Sequence, residues 1–328
     1  MLIRLRRGWE IPERLATPED VYLNRRKFLQ ALGVTGLSTL GALLGCNREG
    51  QSQSATEAPP PIGLPTPSAT ANLYPAKRNE HFTLDRPLTD EAIAARYNNF
   101  YEFSPNKQQV SRLVNTFQTR PWQIEVRGLV KKPQTFAIDE LVRRMPLEER
   151  LYRHRCVEAW SMAVPWTGFP IKAFIDLVEP LASVKYLRMV TFNNPGQAAG
   201  MNDDTYPWPY FEGLTLAEAT NDLALFVTGI YGHELTKQHG APMRLVTPWK
   251  YGYKSVKSIV LIEFTDKQPT TFWSTLVPSE YDFWANVNPA VPHPRWSQES
   301  ERLIGTNDRR QTLLYNGYGE FVADLYKT

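Results

Sequence analysis

The sequence lacks most of the motifs that identify common enzyme classes. Only two cysteines, Cys46 and Cys156, occur among 328 residues. There is no Gly-x-Gly-x-x-Gly turn, no P-loop and no Cys-x-x-Cys-His haem motif. These absences argue against a dinucleotide-binding fold, a nucleotide hydrolase and a c-type cytochrome.

Two hydrolase classes are also disfavoured by spacing. His233 and His239 are six residues apart instead of four, and Gly232 and Gly240 flank the run, so we do not expect a zinc-protease helix. No nucleophile elbow surrounds Ser161. The net charge of +3 includes a basic N-terminal segment, and the rest of the chain is near neutral. Nothing in this balance indicates a nucleic-acid partner.

The N-terminal residues are predicted to direct export. Asn24-Arg-Arg-Lys-Phe-Leu29 is a twin-arginine element, and a weakly hydrophobic run follows it to Leu44. This run is shorter than the roughly 20 apolar residues that a membrane-spanning helix needs. We therefore expect residues 1–46 to be a twin-arginine export signal and the protein to be periplasmic or attached to the cell envelope. Because this route carries proteins that have already folded, it favours a cofactor inserted before export.

A lipid anchor and a linker are predicted next. Leu43-Leu-Gly-Cys46 resembles a lipoprotein processing site, at which Cys46 would be acylated; cleavage near residues 54–56 is the alternative. Residues 47–75 are rich in Ser, Pro, Thr, Ala and Gln and have few large apolar residues. Such a segment buries too little surface to offset its ordering entropy, so we expect a disordered linker. Residues 76–328 are expected to form the folded domain.

Helix and strand patterns alternate irregularly in that domain. Helices are predicted at residues 89–97, 138–145 and 171–178, and strands at residues 122–128, 148–157, 184–192, 223–229, 243–247 and 256–264. The long apolar segment 256–264 is expected to be a central strand. Because the order is not a strict βαβ repeat, we predict an α+β fold with a mixed or largely antiparallel sheet and short interspersed helices. Residues 270–328 are expected to be loop-rich and to wrap the surface.

Cys156 is the only cysteine expected inside the folded domain. Arg153, His154 and Arg155 precede it, and their positive charge is predicted to lower the pKa of its thiol. Three roles are open: a buried structural cysteine, a nucleophile paired with a distant histidine, or a metal ligand. A lone thiol in an oxidising compartment is a liability, because it can oxidise or pair between chains. Occupation by a metal would remove that liability, which favours the ligand role.

Long motifs then carry a resemblance to a known family. They are Tyr97-Asn-Asn-Phe-Tyr-Glu-Phe103, Arg153-His-Arg-Cys-Val-Glu-Ala-Trp-Ser-Met162 and His239-Gly-Ala-Pro-Met-Arg-Leu-Val246, the last followed by residues 249–258. In this order they resemble the catalytic subunits of periplasmic protein-methionine-sulfoxide reductases, the MsrP/YedY type. That family has the molybdopterin-binding fold of the sulfite oxidases, and the resemblance spans roughly residues 73–328.

The resemblance implies a site for Mo-molybdopterin. Cys156 would be both the thiolate ligand of the molybdenum and the catalytic residue. Arg244 and Lys257 would hold the phosphate end, although a strand-end ion pair is the simpler role for Arg244. His239 stands where Asn is usual in the family, and both side chains can donate a hydrogen bond. The full set of implied cofactor-binding residues is Asn98, Tyr101, Glu102, Cys156, Thr191, His239, Arg244, Ser255, Val256 and Lys257.

The implied activity is reduction of methionine sulfoxide in proteins. Because the chain has no haem, flavin or iron–sulfur motif, electrons would come from a membrane haem-containing subunit of the MsrQ type, which draws on the quinone pool. A sulfite-oxidase-like or small S-oxide/N-oxide oxidoreductase is one alternative. A non-catalytic exported lipoprotein is another. Trp160, Trp166 and Tyr231 are expected to line the cavity above Cys156, with core packing as their alternative role.

Overall fold

The computed structural model describes residues 68–327, which form two β-sheets joined by short helices. The helices are α1 (Glu91–Ala95), α2 (Val110–Leu113), α3 (Ile138–Arg144), α4 (Ile171–Val178), α5 (Leu216–Ala219), α6 (Phe272–Leu276) and α7 (Gly319–Val322). The strands are β1 (Gln123–Gly128), β2 (Gln134–Ala137), β3 (Glu148–Arg155), β4 (Trp160–Pro170), β5 (Tyr186–Thr191), β6 (Phe211–Thr215), β7 (Leu225–Ile230), β8 (His233–Glu234), β9 (Arg244–Val246), β10 (Ile259–Thr265), β11 (Ser300–Leu303) and β12 (Arg309–Gln311). This arrangement confirms the predicted α+β class.

The first sheet has the strand order β2-β1-β10-β5-β6. Its middle strand β10 pairs in parallel with β1 and antiparallel with β5, so the sheet is mixed. The predicted central position of the apolar segment 256–264 is confirmed, although the strand starts at Ile259. Val256 and Lys257, at the start of that segment, form part of the cavity wall described below.

The second sheet is built around β4, which the sequence did not predict as a strand. β4 pairs antiparallel with β3 and β7 and in parallel with β11. Every residue from Trp160 to Phe169 is buried. Pro165, Gly168 and Pro170 suggested a turn, but Gly168 is needed for close packing, since a Cβ atom there would lie 2.1 Å from the carbonyl oxygen of Phe226. The register shift between Thr167 and Gly168 marks the same place.

Helix α4 follows β4 and matches its predicted bounds. Ile171, Phe174, Ile175 and Val178 are buried, which is the i, i+3, i+4, i+7 spacing of an amphipathic helix. The helix ends at Glu179, which adopts a left-handed conformation with φ 48°. Its apolar face joins the hydrophobic core, which includes residues from both sheets. No helix within residues 68–327 is long and apolar enough to cross a membrane.

The first and last parts of the described residues pack on the second sheet more than the sequence predicted. The predicted export signal, Cys46 and most of the predicted linker lie outside the described residues. The described end of that linker packs on the second sheet: Thr70 is fully buried and donates to Glu234 Oε1 at 2.8 Å, and the hydroxyl of Tyr74 donates to Thr228 at 2.7 Å. Residues 270–327 add strands β11 and β12 to the second sheet, so this segment is part of the fold and does not only cover its surface.

Candidate active site

A cavity of about 320 Å³ lies beside Cys156. Segments from six parts of the chain line it: the loop after α1, the β3–β4 turn with its flanking residues, residues around Tyr206 and Tyr210, Arg244 in β9, residues 252–257, and the segment from Trp273 to Trp296. Most of the residues predicted for the site meet here, namely Asn98, Tyr101, Glu102, Cys156, Arg244, Ser255, Val256 and Lys257.

Cys156 is the first residue of the turn that joins β3 to β4. Arg155 pairs with Ser161 as the last pair of the ladder, so the turn consists of residues 156–159. The Sγ atom lies 3.3 Å from Asn99 Nδ2 and 3.5 Å from the backbone nitrogen of Glu158. Both contacts direct N–H groups at the sulfur. Strands β3 and β4, the two longest strands of the second sheet, therefore hold the thiol at the cavity.

The thiol is not activated in the way that the sequence suggested. Burial, together with the nearby Glu158 carboxylate, raises the pKa of the Cys156 thiol to about 12. The predicted lowering by the three preceding basic residues is therefore wrong for the protein alone. A bound metal would remove the proton from such a thiol, because a coordinating thiol is deprotonated outright.

The charge of Arg155 does lower the pKa of Cys156, but burial and Glu158 outweigh it, and the alternation of β3 limits what the basic residues can add. Successive side chains of β3 point to opposite faces. Arg153 bonds to Asp85 Oδ1 at 3.0 Å, and Arg155 pairs with Glu301 at 3.2 Å, both away from the cavity. His154 does face the cavity, but burial and the charge of Arg244 lower its pKa to about 3. This histidine is therefore neutral at physiological pH.

Arg244, which is buried, and Lys257, which is half-buried, form a cationic end of the cavity. Arg244 is 3% exposed; it donates to the carbonyl of His239 at 2.9 Å and lies 5.0 Å from the ring centroid of Trp166. Burial lowers the pKa of Arg244 to about 9, and burial with the charge of Arg244 lowers the pKa of Lys257. Among the described residues, no carboxylate lies within salt-bridge distance of either cation, so the ion pair considered for Arg244 is not formed.

This cationic end fits an anionic group. Buried charges without partners are unfavourable, and an oxygen-rich anion would offer both side chains charge-assisted hydrogen bonds. The acid that interacts with Lys257 is Glu102; burial raises its pKa, although the charge of Lys257 opposes this. The phosphate of a pterin cofactor is an anion of the required kind, and the thiol of Cys156 is a suitable metal ligand in the same cavity. The donor set thus fits the implied cofactor.

Thr191 and His239 lie behind the cavity wall instead of lining it. Thr191 Oγ1 donates to the carbonyl of Lys257 at 2.7 Å and so holds the cationic segment. His239 is 1% exposed, its Nδ1 lies 2.6 Å from the hydroxyl of Thr236, and burial lowers its pKa to about 3. Its backbone carbonyl holds Arg244, a function that does not depend on the side chain. Both residues support the site from the second layer of contacts.

Asn98 supports the site mainly by a hydrogen bond from its side chain to the backbone of helix α1. Its side-chain Nδ2 donates to the carbonyl of Ala95 at 2.9 Å, at the C-terminus of α1. This bond closes the last turn of the helix and fixes the direction of the following loop. The loop then places Tyr101 against Trp273, with their rings perpendicular at 5.2 Å. The helix end therefore determines where this wall of the cavity lies.

A polar cluster beside the sulfur was missed by the sequence analysis. Glu158 Oε2 lies 3.7 Å from Cys156 Sγ and accepts from Asn99 at 3.1 Å and from Trp160 Nε1 at 3.2 Å. Lys107 forms an ion pair with it at 2.8 Å. Burial alone would raise the pKa of Glu158, but Lys107 and these donors lower it below its usual value. The only signal in the sequence was that Glu158 lies two residues from Cys156 in a turn.

The cavity mouth is aromatic. Tyr206, Trp273, Tyr281 and Trp296 line it, and Arg295 lies beside them in an ion pair with Glu280. Trp160 lines the cavity, as predicted.

Two other aromatic residues do not line it. Trp166 is fully buried beneath Arg244, and the hydroxyl of Tyr231 donates to the carbonyl of Thr89 at 2.6 Å. Both belong to the packing of β4 and of the turn that follows β7.

Within residues 68–327, no cluster of three or more His, Cys, Asp or Glu side chains could hold a metal. His233 lies in β8, where its ring bonds to Glu91 at 2.6 Å, and His239 lies in a separate 3₁₀ turn. The run between them is therefore not a zinc-binding helix, as the spacing indicated.

Comparison with known proteins agrees with this site. Residues 111–273 match the family model described as an oxidoreductase molybdopterin binding domain. The chain is 44% identical to the protein-methionine-sulfoxide reductase catalytic subunit MsrP of Burkholderia mallei, over 98% of this chain and 94% of that protein. It is 41% identical to the MsrP of Ralstonia nicotianae, over 98% and 95% respectively. A solved structure of the sulfane dehydrogenase SoxCD from Paracoccus pantotrophus aligns with 15% identity and a TM-score of 0.46, over 81% of this chain and 66% of that one. On the two full-length relatives, the chain belongs to the family of protein-methionine-sulfoxide reductase catalytic subunits, MsrP.

Proposed function

We propose that this protein reduces methionine sulfoxide in proteins, with Mo-molybdopterin as its cofactor. The observation that supports this most directly is the pairing of features in one cavity. Cys156 offers a sulfur ligand at one point, and Arg244 and Lys257 at another present cations that no carboxylate of the described residues pairs with. A molybdenum pterin has a metal that prefers sulfur ligands and a phosphate that requires cations.

The cofactor, when bound, supplies the oxygen-atom and electron-transfer chemistry. The residues of this chain bind and orient it. Cys156 would be the metal ligand, Arg244 and Lys257 would hold the phosphate, and Thr191 would fix the backbone of the cationic segment through its bond to the Lys257 carbonyl. Reduction of a sulfoxide to a thioether consumes two electrons and two protons and releases the oxygen as water.

The polar cluster supplies fixed charges and hydrogen-bond donors beside the sulfur. The Glu158 carboxylate and the Lys107 ammonium lie at the cavity, with Asn99 between the carboxylate and the Cys156 sulfur. Because Lys107, Asn99 and Trp160 keep the pKa of Glu158 below its usual value, Glu158 would remain a carboxylate beside the reacting centre. The side chains of Glu158 and Lys107 are only partly exposed, so they also limit access of bulk water.

The aromatic mouth fits the side chain of an oxidised methionine. Sulfur groups make favourable contacts with aromatic rings at about 5 Å, and Tyr206, Trp273 and Trp296 offer such faces. Because the mouth opens at the surface, the methionine would enter while its own backbone remains outside. A carboxylate beside the reacting centre disfavours anionic substrates, which weighs against sulfite oxidation as the activity.

We further propose a membrane-bound, haem-containing electron donor and a location in the periplasm or at the cell envelope. The twin-arginine element at residues 24–29 supports export. The lack of any haem, flavin or iron–sulfur motif supports an external electron source. Both ideas rest on the sequence. Fractionation of cells would test the location, and co-purification with the membrane donor would test the electron source. Recovery of the protein from the cytoplasm would exclude the proposed location.

The decisive experiment is cofactor analysis of the full-length protein purified from its native compartment. We expect about one molybdenum and one pterin per chain, together with sulfoxide-dependent oxidation of a reduced dye when the substrate is an oxidised protein. Molybdenum without sulfoxide turnover would favour a sulfite-oxidase-like or small S-oxide reductase. A protein free of metal and pterin, from a host that makes the cofactor, would favour a non-catalytic lipoprotein.

A further inference from the structure

The carbonyl oxygen of Val157 receives two hydrogen bonds from the C-terminal part of the chain. Trp296 Nε1 and Gln298 Nε2 each donate to it at 2.7 Å. This carbonyl and the N–H of Glu158 belong to the same peptide group. That N–H is the one that points at the Cys156 sulfur, at 3.5 Å. Holding the oxygen therefore fixes the direction of the N–H, because a peptide group is planar and trans.

Gln298 can make this bond in only one orientation. Its Oε1 accepts from the guanidinium of Arg155 at 2.8 Å, and a guanidinium has donors only. The Nε2 group must therefore face Val157. Gln298 is 1% exposed and Arg155 is fully buried. Arg155 also donates to the carbonyl of Cys156, so two consecutive carbonyls of the turn are held by this pair.

Trp296 is equally restrained. Its indole stacks on His293, with ring centroids 3.8 Å apart and planes at 7°. The same ring borders the cavity mouth. Two donors on one carbonyl also polarise the peptide group, which strengthens the N–H as a donor on its other side.

We propose that Trp296 and Gln298 are positioning residues for the metal ligand. They fix the Val157–Glu158 peptide so that its N–H donates to the Cys156 sulfur, and they thereby set the electron density on that sulfur. Hydrogen bonds to a ligating sulfur alter the reduction potential of the metal that it binds. The inference rests on the proposed function, since it concerns the molybdenum that Cys156 would ligate.

The test uses full-length, cofactor-loaded protein and the variants Trp296→Phe, Gln298→Glu and their combination. Phenylalanine keeps the stacked ring but has no N–H. Glutamate keeps an acceptor for Arg155, stays ionised beside that guanidinium, and has no donor for Val157. Thr312→Val is the matched control, because it removes a 3.2 Å bond to Arg155 and leaves the Val157 carbonyl untouched.

We expect all variants to contain wild-type molybdenum and pterin. The double variant should show an altered Mo(V) EPR spectrum, a lower reduction potential and a kcat reduced about tenfold or more. Gln298→Glu should lower kcat without changing KM, since it does not border the cavity near Cys156, whereas Trp296→Phe should change both. Thr312→Val should match wild type in spectrum and potential.

A double variant that retains its molybdenum and has the wild-type spectrum and potential overturns the proposal. So does a Thr312→Val spectrum that changes as much as that of the double variant, since this would indicate general loosening around Arg155. If Gln298→Glu does not accumulate, Gln298→Met combined with Trp296→Phe replaces it under the same criteria. Absence of molybdenum from the wild-type protein is a separate result that rejects the proposed function itself.

Discussion

Replacement of Lys257 by methionine should have opposite effects on cofactor binding and on stability. Lys257 is half-buried beside Arg244 and has no carboxylate at salt-bridge distance among the described residues. Its stem packs on Gly240, where a Cβ atom would lie 2.6 Å from the Lys257 Cβ. Methionine has a similar length and keeps this packing, so the substitution removes mainly the charge.

The loss of cofactor binding follows from the missing charge. A hydrogen bond to a charged group contributes about 1.5–3 kcal/mol, so Lys257→Met should weaken binding of the pterin phosphate by roughly 10- to 150-fold. The measurement is the pterin and molybdenum content per chain after extensive dialysis. Lys267→Met is the matched control, because Lys267 is exposed and should retain the full content.

The gain in stability concerns the cofactor-free protein. Burial and Arg244 lower the pKa of Lys257, while Glu102 opposes this change. Between that lowered pKa and the ordinary value near 10.4, the unfolded chain binds more protons than the folded one, so wild-type stability rises with pH by at most about 1.4 kcal/mol per unit. Lys257→Met should lack this contribution. At pH 7 it should be more stable than wild type by about 1–3 kcal/mol, and the difference should shrink toward pH 10.

Thermal and urea unfolding at pH 7 and pH 10 would measure this difference. A cofactor-free Lys257→Met protein that is less stable than wild type at pH 7 would refute the idea that the Lys257 charge is destabilising where no described carboxylate pairs with it. Full retention of pterin by the same variant would refute a phosphate contact. The two results are independent, because one is measured without the cofactor and the other with it.

Three further substitutions test other parts of the site and core. Cys156→Ser should abolish turnover and change the molybdenum spectrum, and a wild-type spectrum in this variant would exclude Cys156 as the ligand. Glu158→Gln removes a carboxylate 3.7 Å from the sulfur, so the reduction potential in a potentiometric titration should rise by about 60 mV or more, which equals about 1.4 kcal/mol for one electron; an unchanged potential contradicts this. Lys250→Met leaves Glu218 buried without its partner and should lower the free energy of unfolding by about 3–5 kcal/mol, whereas Lys172→Met, in an exposed pair with Asp176, should change it by about 1 kcal/mol or less.

Sequence patterns predicted those features that depend on local periodicity. The amphipathic spacing of α4 and the apolar run of β10 identified both elements, and the strand before Cys156 ends one residue before it. Strand β4 was missed because two prolines and a glycine usually interrupt strands. In addition, two of its pairing partners, β7 and β11, follow much later in the chain, which local patterns do not reveal.

The candidate site likewise has a part that the sequence predicted and a part that it did not. Residues within the quoted motifs could be assigned by resemblance, and most of them meet at one cavity. The contacts around the sulfur could not be predicted from the sequence, because Asn99 and Lys107 precede Cys156 by about fifty residues and Gln298 follows it by more than a hundred. The predicted effect of the basic residues failed because burial and Glu158 outweigh the charge of Arg155, while strand alternation directs Arg153 to Asp85, away from the cavity.

The high pKa of Cys156 also changes the argument about its vulnerability. A free thiol in an oxidising compartment is at risk, and occupation by a metal was the protection that the sequence suggested. Burial adds a protection that acts before any metal is bound. A thiol with a pKa of about 12 is almost entirely protonated at neutral pH, and only the thiolate reacts readily. Under the proposed twin-arginine export, the chain folds before it leaves the cytoplasm. The fold would therefore keep the sulfur unreactive until the metal arrives, and the N–H groups of Asn99 and Glu158 would then stabilise the thiolate that the metal creates.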